Sequence, residues 1–183
     1  MTAKVINLIA GPGAGKSTTA AGIFHIMKCQ GHSVELVTEF AKDLTWEGHK
    51  GLLKNQLYLT AEQYRRMWRV AEAGVEWIIT DSPLLLGPCY APPDYFPSYE
   101  QLTWELFDSF ENFIFYLRRV KPYWNKGREG GFNFAKNMDD KTLRYLTEEG
   151  VEFTSLDGDV NAPAEILKLL GLSPDPNVKV PNE

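Results

Sequence analysis

Apolar and polar positions fall into alternating blocks along the chain. Val5, Ile6, Leu8 and Ile9 form a short, nearly continuous apolar run, the pattern of a strand covered on both faces. Comparable runs recur at 34–38, 77–81, 112–117 and 151–156. Between them the apolar spacing changes to three and four. Ala20, Ile23, Phe24 and Met27 predict a helix from Gly15 to Gln30, stopped by Gly31. Residues 40–48 predict a loop or short helix, and 52–73 a helical stretch in which Thr60-Ala-Glu-Gln63 reads as a capping box that splits or kinks it. A long loop rich in proline and tyrosine follows from Pro83 to Pro97. Ser98-Tyr-Glu-Gln101 then reads as a second capping box, opening a helix with Leu102, Leu106 and Phe110 on its face. Helices are also predicted over 139–149, closed by Gly150, and over 162–170.

Strands alternating with helices predict an α/β fold: a five-stranded parallel sheet with helices on both faces. One domain is expected over 1–172. The tail 173–183, with prolines at 174, 176 and 181, is expected to be extended or disordered. In such sheets ligands sit beyond the carboxyl ends of the strands.

Composition narrows the function classes without naming one. A net charge of −5 over 183 residues does not favour a nucleic-acid partner. Cys29 and Cys89 are too few for a disulfide framework and too far apart for a paired-cysteine site, and are read as buried or idle thiols in a reducing compartment. His25 and His32 have no partner at metal-ligand spacing and are read as surface residues. No stretch has the length of a membrane span or the layout of a signal peptide, so a cytoplasmic protein with no membrane partner is expected.

The chemistry concentrates after the first strand. Ala10-Gly11-Pro12-Gly13-Ala14-Gly15-Lys16-Ser17-Thr18 joins a strand to a helix in the pattern of a phosphate-binding loop, with Ala10 where the pattern begins with glycine. Glycines let backbone N–H groups converge on phosphate oxygens, and the helix N-terminus adds unpaired donors. The expected nucleotide contacts are therefore Gly11, Gly13, Ala14, Gly15, Lys16, Ser17 and Thr18, with Lys16 at the β- and γ-phosphates and the Ser17 hydroxyl on Mg²⁺.

Further candidates lie at the other strand ends. Asp81 closes the third strand, where a carboxylate can hold the Mg²⁺ shell. Glu39 closes the second and is suited to orient or deprotonate an attacking hydroxyl, with Asp43 a weaker candidate. Arg118, Arg119, Lys121, Lys126 and Arg128 form a basic cluster. With Gly127, Gly130 and Gly131 it predicts a mobile lid over about 118–137, one of whose arginines, Arg118, Arg119 or Arg128, neutralises the transferring phosphoryl group. Gln63 and Arg66 are candidates for binding the acceptor. Tyr58, Tyr64, Tyr90, Tyr95, Phe96 and Tyr99 are candidates for stacking on its base. Asp157-Gly158-Asp159 follows the last strand, where a loop can cover the nucleobase.

On Gly11-Pro-Gly-Ala-Gly-Lys-Ser17, Glu39, Trp77-Ile-Ile-Thr-Asp-Ser-Pro83 and the arginines after Phe113-Ile-Phe-Tyr116, the chain resembles the P-loop nucleoside and nucleotide kinases. In more detail it is similar to small ATP-binding proteins of tailed phages, to the kinase domain of the bifunctional nicotinamide-nucleotide regulator and to phage deoxynucleoside monophosphate kinases. The resemblance implies ATP and Mg²⁺ as cofactors and a small nucleotide as acceptor. It favours ATP plus a deoxynucleoside monophosphate giving ADP and the diphosphate. Alternatives are a nucleoside, ribosylnicotinamide or a modified base in DNA as acceptor, or an ATPase switch that binds a partner. It leaves homodimerisation open and implies the host cytoplasm for a phage-encoded chain. One departure concerns the acceptor side. Asp81-Ser82-Pro83 stands where related kinases carry an arginine after the acidic residue.

Overall fold

The computed structural model describes residues 3–124, 126 and 130–172. Arg128 and Gly127 of the expected lid, and the tail 173–183, lie outside them. Five strands, β1 (Lys4–Ile9), β2 (Val34–Val37), β3 (Trp77–Thr80), β4 (Glu111–Arg118) and β5 (Thr154–Asp157), form one sheet in the order β2-β3-β1-β4-β5. Every pairing is parallel, with Lys4 opposite Trp77 on one side of β1 and opposite Glu111 on the other. All five strands therefore end at one edge of the sheet, and β1, at the centre, delivers the phosphate-binding loop into the middle of that edge.

The continuous apolar runs are explained by a core on each face. On one face Ile6, Leu8, Ile79, Phe115 and Leu117 pack against Ala20, Ile23 and Met27 of α1 (Lys16–Cys29) and against Ile166 and Leu167 of α7 (Ala162–Leu169). On the other, Val5, Ile9, Ile78 and Tyr116 meet Met67 of α3 (Gln56–Glu72), Leu86 of α4 (Leu86–Tyr90), Phe107 of α5 (Tyr99–Phe107) and Leu146 of α6 (Phe132–Glu148). Neighbouring residues of β1 thus serve opposite cores. Each fully buried Leu or Ile contributes about 1.5–3 kcal/mol.

Several local expectations change. Helix α2 (Phe40–Trp46) fills part of 40–48. The Thr60–Gln63 capping box does not form. A one-turn 3-10 segment (Leu52–Lys54) precedes α3, whose real cap is Asn55, accepting from the Tyr58 N–H, while Thr60 and Gln63 are buried within the helix. The 83–97 loop contains α4. Ser98 precedes α5 without a side-chain cap bond, and the buried face of α5 is Tyr99, Thr103 and Phe107, one residue off the expected stripe. Helix α6 begins at Phe132, so residues 132–137 of the expected lid are helical. Strand β5 begins at Thr154 instead of 151. Among the described residues no helix is long and apolar enough to cross a membrane. Cys89 is buried as expected, whereas Cys29 is exposed.

Candidate active site

The turn after β1 has the geometry its glycines allow. Gly13 and Gly15 hold positive φ, 78° and 117°, conformations open chiefly to glycine. Gly11 is required for a different reason: a Cβ there would lie 2.5 Å from Asp139 Oδ1 and 2.6 Å from the Ala135 carbonyl. Helix α6 therefore rests directly on the turn. At Gly158 a Cβ would meet the Ala14 carbonyl. The 157–159 turn packs against the same loop from the β5 side.

No side chain caps α1, and its first turn carries no acidic residue. Ser17 and Thr18 are exposed beside this helix N-terminus, a place where unpaired N–H donors suit an anion. Lys16 bends back over the turn. Its Nζ donates to the carbonyls of Ala10 (2.8 Å) and Gly11 (3.1 Å). Lys16 is half-buried. Desolvation lowers its pKa, while the Glu39, Asp81 and Asp139 carboxylates oppose that shift.

Glu39 and Asp81 come together as their strand ends predict. Asp81 is buried, and its Oδ1 accepts the Glu39 N–H at 3.0 Å. One carboxylate thus fixes the backbone that presents the other. Gln63 secures the same junction. Its Oε1 accepts the Phe40 N–H (3.1 Å), and its Nε2 donates to the Thr38 carbonyl (3.4 Å) and Thr80 Oγ1 (3.3 Å). Both ends of the Gln63 amide are engaged within the protein, so it braces the start of α2, and it also lines the cleft described below.

The arginines stand differently from the sequence expectation. Arg66 donates to Asp43 (2.7 Å) and Glu62 (3.2 Å) and lies over the Phe40 ring. Arg118 is exposed and paired with Asp157 at 2.7 Å. Arg119 is held by Asp139 through Nε to Oδ2 (2.7 Å) and Nη2 to Oδ1 (3.1 Å). Lys121 also approaches the turn, its Nζ 3.5 Å from where a Gly15 Cβ would stand.

These elements line a cleft of about 360 Å³. Gly13, Lys16, Ser17 and Thr18 of the turn and α1 line it together with Glu39. Phe40, Trp46, Leu53, Leu59, Leu86, Tyr90 and Phe134 add apolar and aromatic lining, and Lys126 a cation. Lys42, on α2, is a further cation of the lining. No arginine is among the described lining residues. Of the aromatic residues expected to stack on a base, Tyr90 lines the cleft. Tyr64 packs on Phe110, Tyr58 on Phe40, and Tyr95 on Phe96 and Tyr99. Phe40, Trp46 and Phe134 were not singled out by sequence. For Phe40 the available signal was its position directly after Glu39.

The donors near the loop are hard oxygens, the Ser17 hydroxyl and the Asp81 carboxylate. Among the described residues no group of three or more His, Cys, Asp or Glu side chains forms a metal cage. That donor set suits Mg²⁺, which binds through few protein ligands and relies on phosphate oxygens and water for the rest.

Comparison with known proteins places this arrangement. The sequence profile of the AAA domain family AAA_28 matches residues 5–162. Among curated proteins none matches. Among solved structures the chain is similar to NadR protein in complex with NR, with TM-score 0.73 and 14% identity over 96% of this chain and 54% of that one. It is also similar to NadR in complex with NAD and AMP-PNP, with TM-score 0.68 and 14% identity over 100% and 52%. A third is deoxyadenosine kinase from M. mycoides with bound dATP, with TM-score 0.58 and 20% identity over 92% and 99%. The chain spans about half the length of the NadR structures. At these identities the likeness is one of fold. The chain belongs to the AAA domain family, and its fold is that of the P-loop nucleoside and nucleotide kinases.

Proposed function

We infer that the protein transfers the γ-phosphoryl group of ATP to a hydroxyl of a small nucleoside-type acceptor. The observation that carries this reading is the single cleft in which the phosphate-binding turn, Lys16 and Ser17 face Glu39 and then continue into apolar and aromatic walls. The backbone donors of the turn and Lys16 hold the donor phosphates, and Lys16 offsets the charge that grows on the transferring group. Ser17 and Asp81 are the residues that would hold Mg²⁺, which supplies charge neutralisation across the β- and γ-phosphates. Glu39 orients the acceptor hydroxyl and takes its proton as the oxygen bonds to the γ-phosphorus and ADP leaves.

For the acceptor class the reading rests on the arginines among the described residues. Recognition of a monophosphate favours a planar bidentate donor, and Arg66, Arg118 and Arg119 are each committed to a carboxylate. That supports an acceptor without a phosphate, in place of the deoxynucleoside monophosphate the sequence favoured. The neighbouring folds agree in kind: one NadR structure is a complex with NR, and the M. mycoides protein is a deoxyadenosine kinase. Lys42 and Lys126 line the cleft and favour a monophosphate as the second reading. A panel of nucleosides, nucleoside monophosphates and duplex DNA, each incubated with Mg-ATP, separates the two. A nucleoside should be the substrate with the highest kcat/KM. Turnover confined to monophosphates overturns the acceptor assignment, and turnover confined to DNA overturns the small-molecule reading.

A further inference from the structure

One peptide unit in the phosphate-binding turn is held at both ends. Its carbonyl, that of Ala10, accepts from Lys16 Nζ at 2.8 Å. Its N–H, that of Gly11, donates to Asp139 Oδ1 at 2.8 Å. Asp139 lies on α6, at a distance of 128 residues along the chain from Gly11. A carboxylate on the N–H polarises the peptide so that its carbonyl becomes a better acceptor for the ammonium. The close approach of α6 at Gly11 leaves no room for the turn to shift toward it.

The same carboxylate has a second duty. Both its oxygens accept from Arg119, and the pair is largely withdrawn from solvent, with side-chain exposures of 10% and 13%. Arg119 directly follows β4 and Asp139 lies 20 residues later. The pair therefore ties the end of β4 to α6 beside the phosphate-binding turn. Arg119 keeps a buried Nη1 with no hydrogen-bond partner, so its fork is not fully used by Asp139.

We propose that Asp139 is a positioning residue for phosphoryl transfer: it sets Lys16 through the Ala10–Gly11 peptide, with its own carboxylate held in place by Arg119. That role was not visible in the sequence, where Asp139 is the first residue of an expected helix. This rests on the phosphate-loop reading of the site but not on the identity of the acceptor, so Mg-ATP binding is the appropriate assay.

Dissociation constants for Mg-ATP, measured by titration calorimetry, are compared for wild type, Asp139→Ala, Lys16→Ala and the double variant. Asp139→Ala should weaken binding about tenfold in the wild-type background and less than about twofold in the Lys16→Ala background, the non-additivity expected of residues acting through one another. Asp139→Asn, which keeps an oxygen for the Gly11 N–H, should recover part of the loss and covers the case in which the alanine variant does not fold. Gly11→Ala, which forces α6 away, should match Asp139→Ala. Equal losses in both backgrounds mean that Asp139 serves the fold only and overturn the proposal, as does an Asp139→Ala or, where that variant does not fold, an Asp139→Asn that binds like wild type. A wild-type protein that does not bind Mg-ATP instead overturns the phosphate-loop reading itself.

Discussion

Replacing Gln63 by leucine distinguishes a brace from a substrate ligand. The side chain is 4% exposed and makes one hydrogen bond of ordinary length, from the Phe40 N–H at 3.1 Å, and two long ones at 3.3 and 3.4 Å. Leucine fills nearly the same volume, so the cavity contribution is small and the lost polar contacts dominate. An orphaned, partly buried N–H costs about 1–3 kcal/mol, and the two long bonds add little. With a loss of about 2 kcal/mol, a chain of this size should melt about 4–8 °C lower. The Phe40 N–H lies next to Glu39, so the same change should loosen the carboxylate and lower kcat. Thermal unfolding followed by circular dichroism, paired with steady-state kinetics, reads both. A variant that melts like wild type while the acceptor KM rises would show that Gln63 touches the acceptor, and the bracing role would be refuted.

Other consequences follow from the same geometry. Lys16→Ala should lower ATP-dependent turnover by about two orders of magnitude or more while the far-ultraviolet spectrum is retained; unchanged turnover removes the phosphate loop from the mechanism. Gly15→Ala places a Cβ at φ 117° and 2.9 Å from the Gly158 carbonyl, so it should cost about 1–3 kcal/mol in urea unfolding and weaken nucleotide binding. Hydrogen bonding to Arg65, with help from Arg66, holds the Glu62 carboxyl at about 2, below its ordinary 4.5. Its contribution is therefore complete above pH 4.5 and is lost as the pH falls from there through 2; Glu62→Gln should flatten that part of a melting-temperature profile. Burial pushes the Cys89 thiol up to about 11 while Cys29 is exposed. A chromogenic thiol reagent at pH 8 should therefore titrate Cys29 rapidly and Cys89 only after denaturation.

The strand pattern was legible because each strand is buried on both faces, which makes a continuous apolar run such as Val5 to Ile9 unambiguous. The phosphate-binding turn was legible for a local reason, since its glycines and Lys16 are adjacent in sequence. The meeting of Glu39 and Asp81 was legible because strand ends of a parallel sheet converge. What escaped notice depends on long-range pairing. Arg66, Arg118 and Arg119 form a basic set in sequence, but the fold gives each a carboxylate from another element, and only Arg119 among them lies beside the turn. Gln63 looked like the end of a capping box and is instead a buried brace, because Asn55 supplies the cap eight residues earlier. Asp139 carried no signal at all: its partner Gly11 is the second residue of the glycine motif, where the glycine already had a sufficient local explanation.

The central claim is that phosphoryl transfer, and not hydrolysis, is the chemistry of the cleft. It is tested most directly by mass balance. The protein is incubated with γ-labelled ATP, Mg²⁺ and a nucleoside, and ADP, labelled acceptor and free phosphate are quantified over the same time course. One labelled nucleoside monophosphate per ADP, with little free phosphate and loss of both products in Lys16→Ala, is the predicted result. Steady release of free phosphate at the rate of ADP formation, unaffected by any nucleoside or nucleotide acceptor, would contradict it.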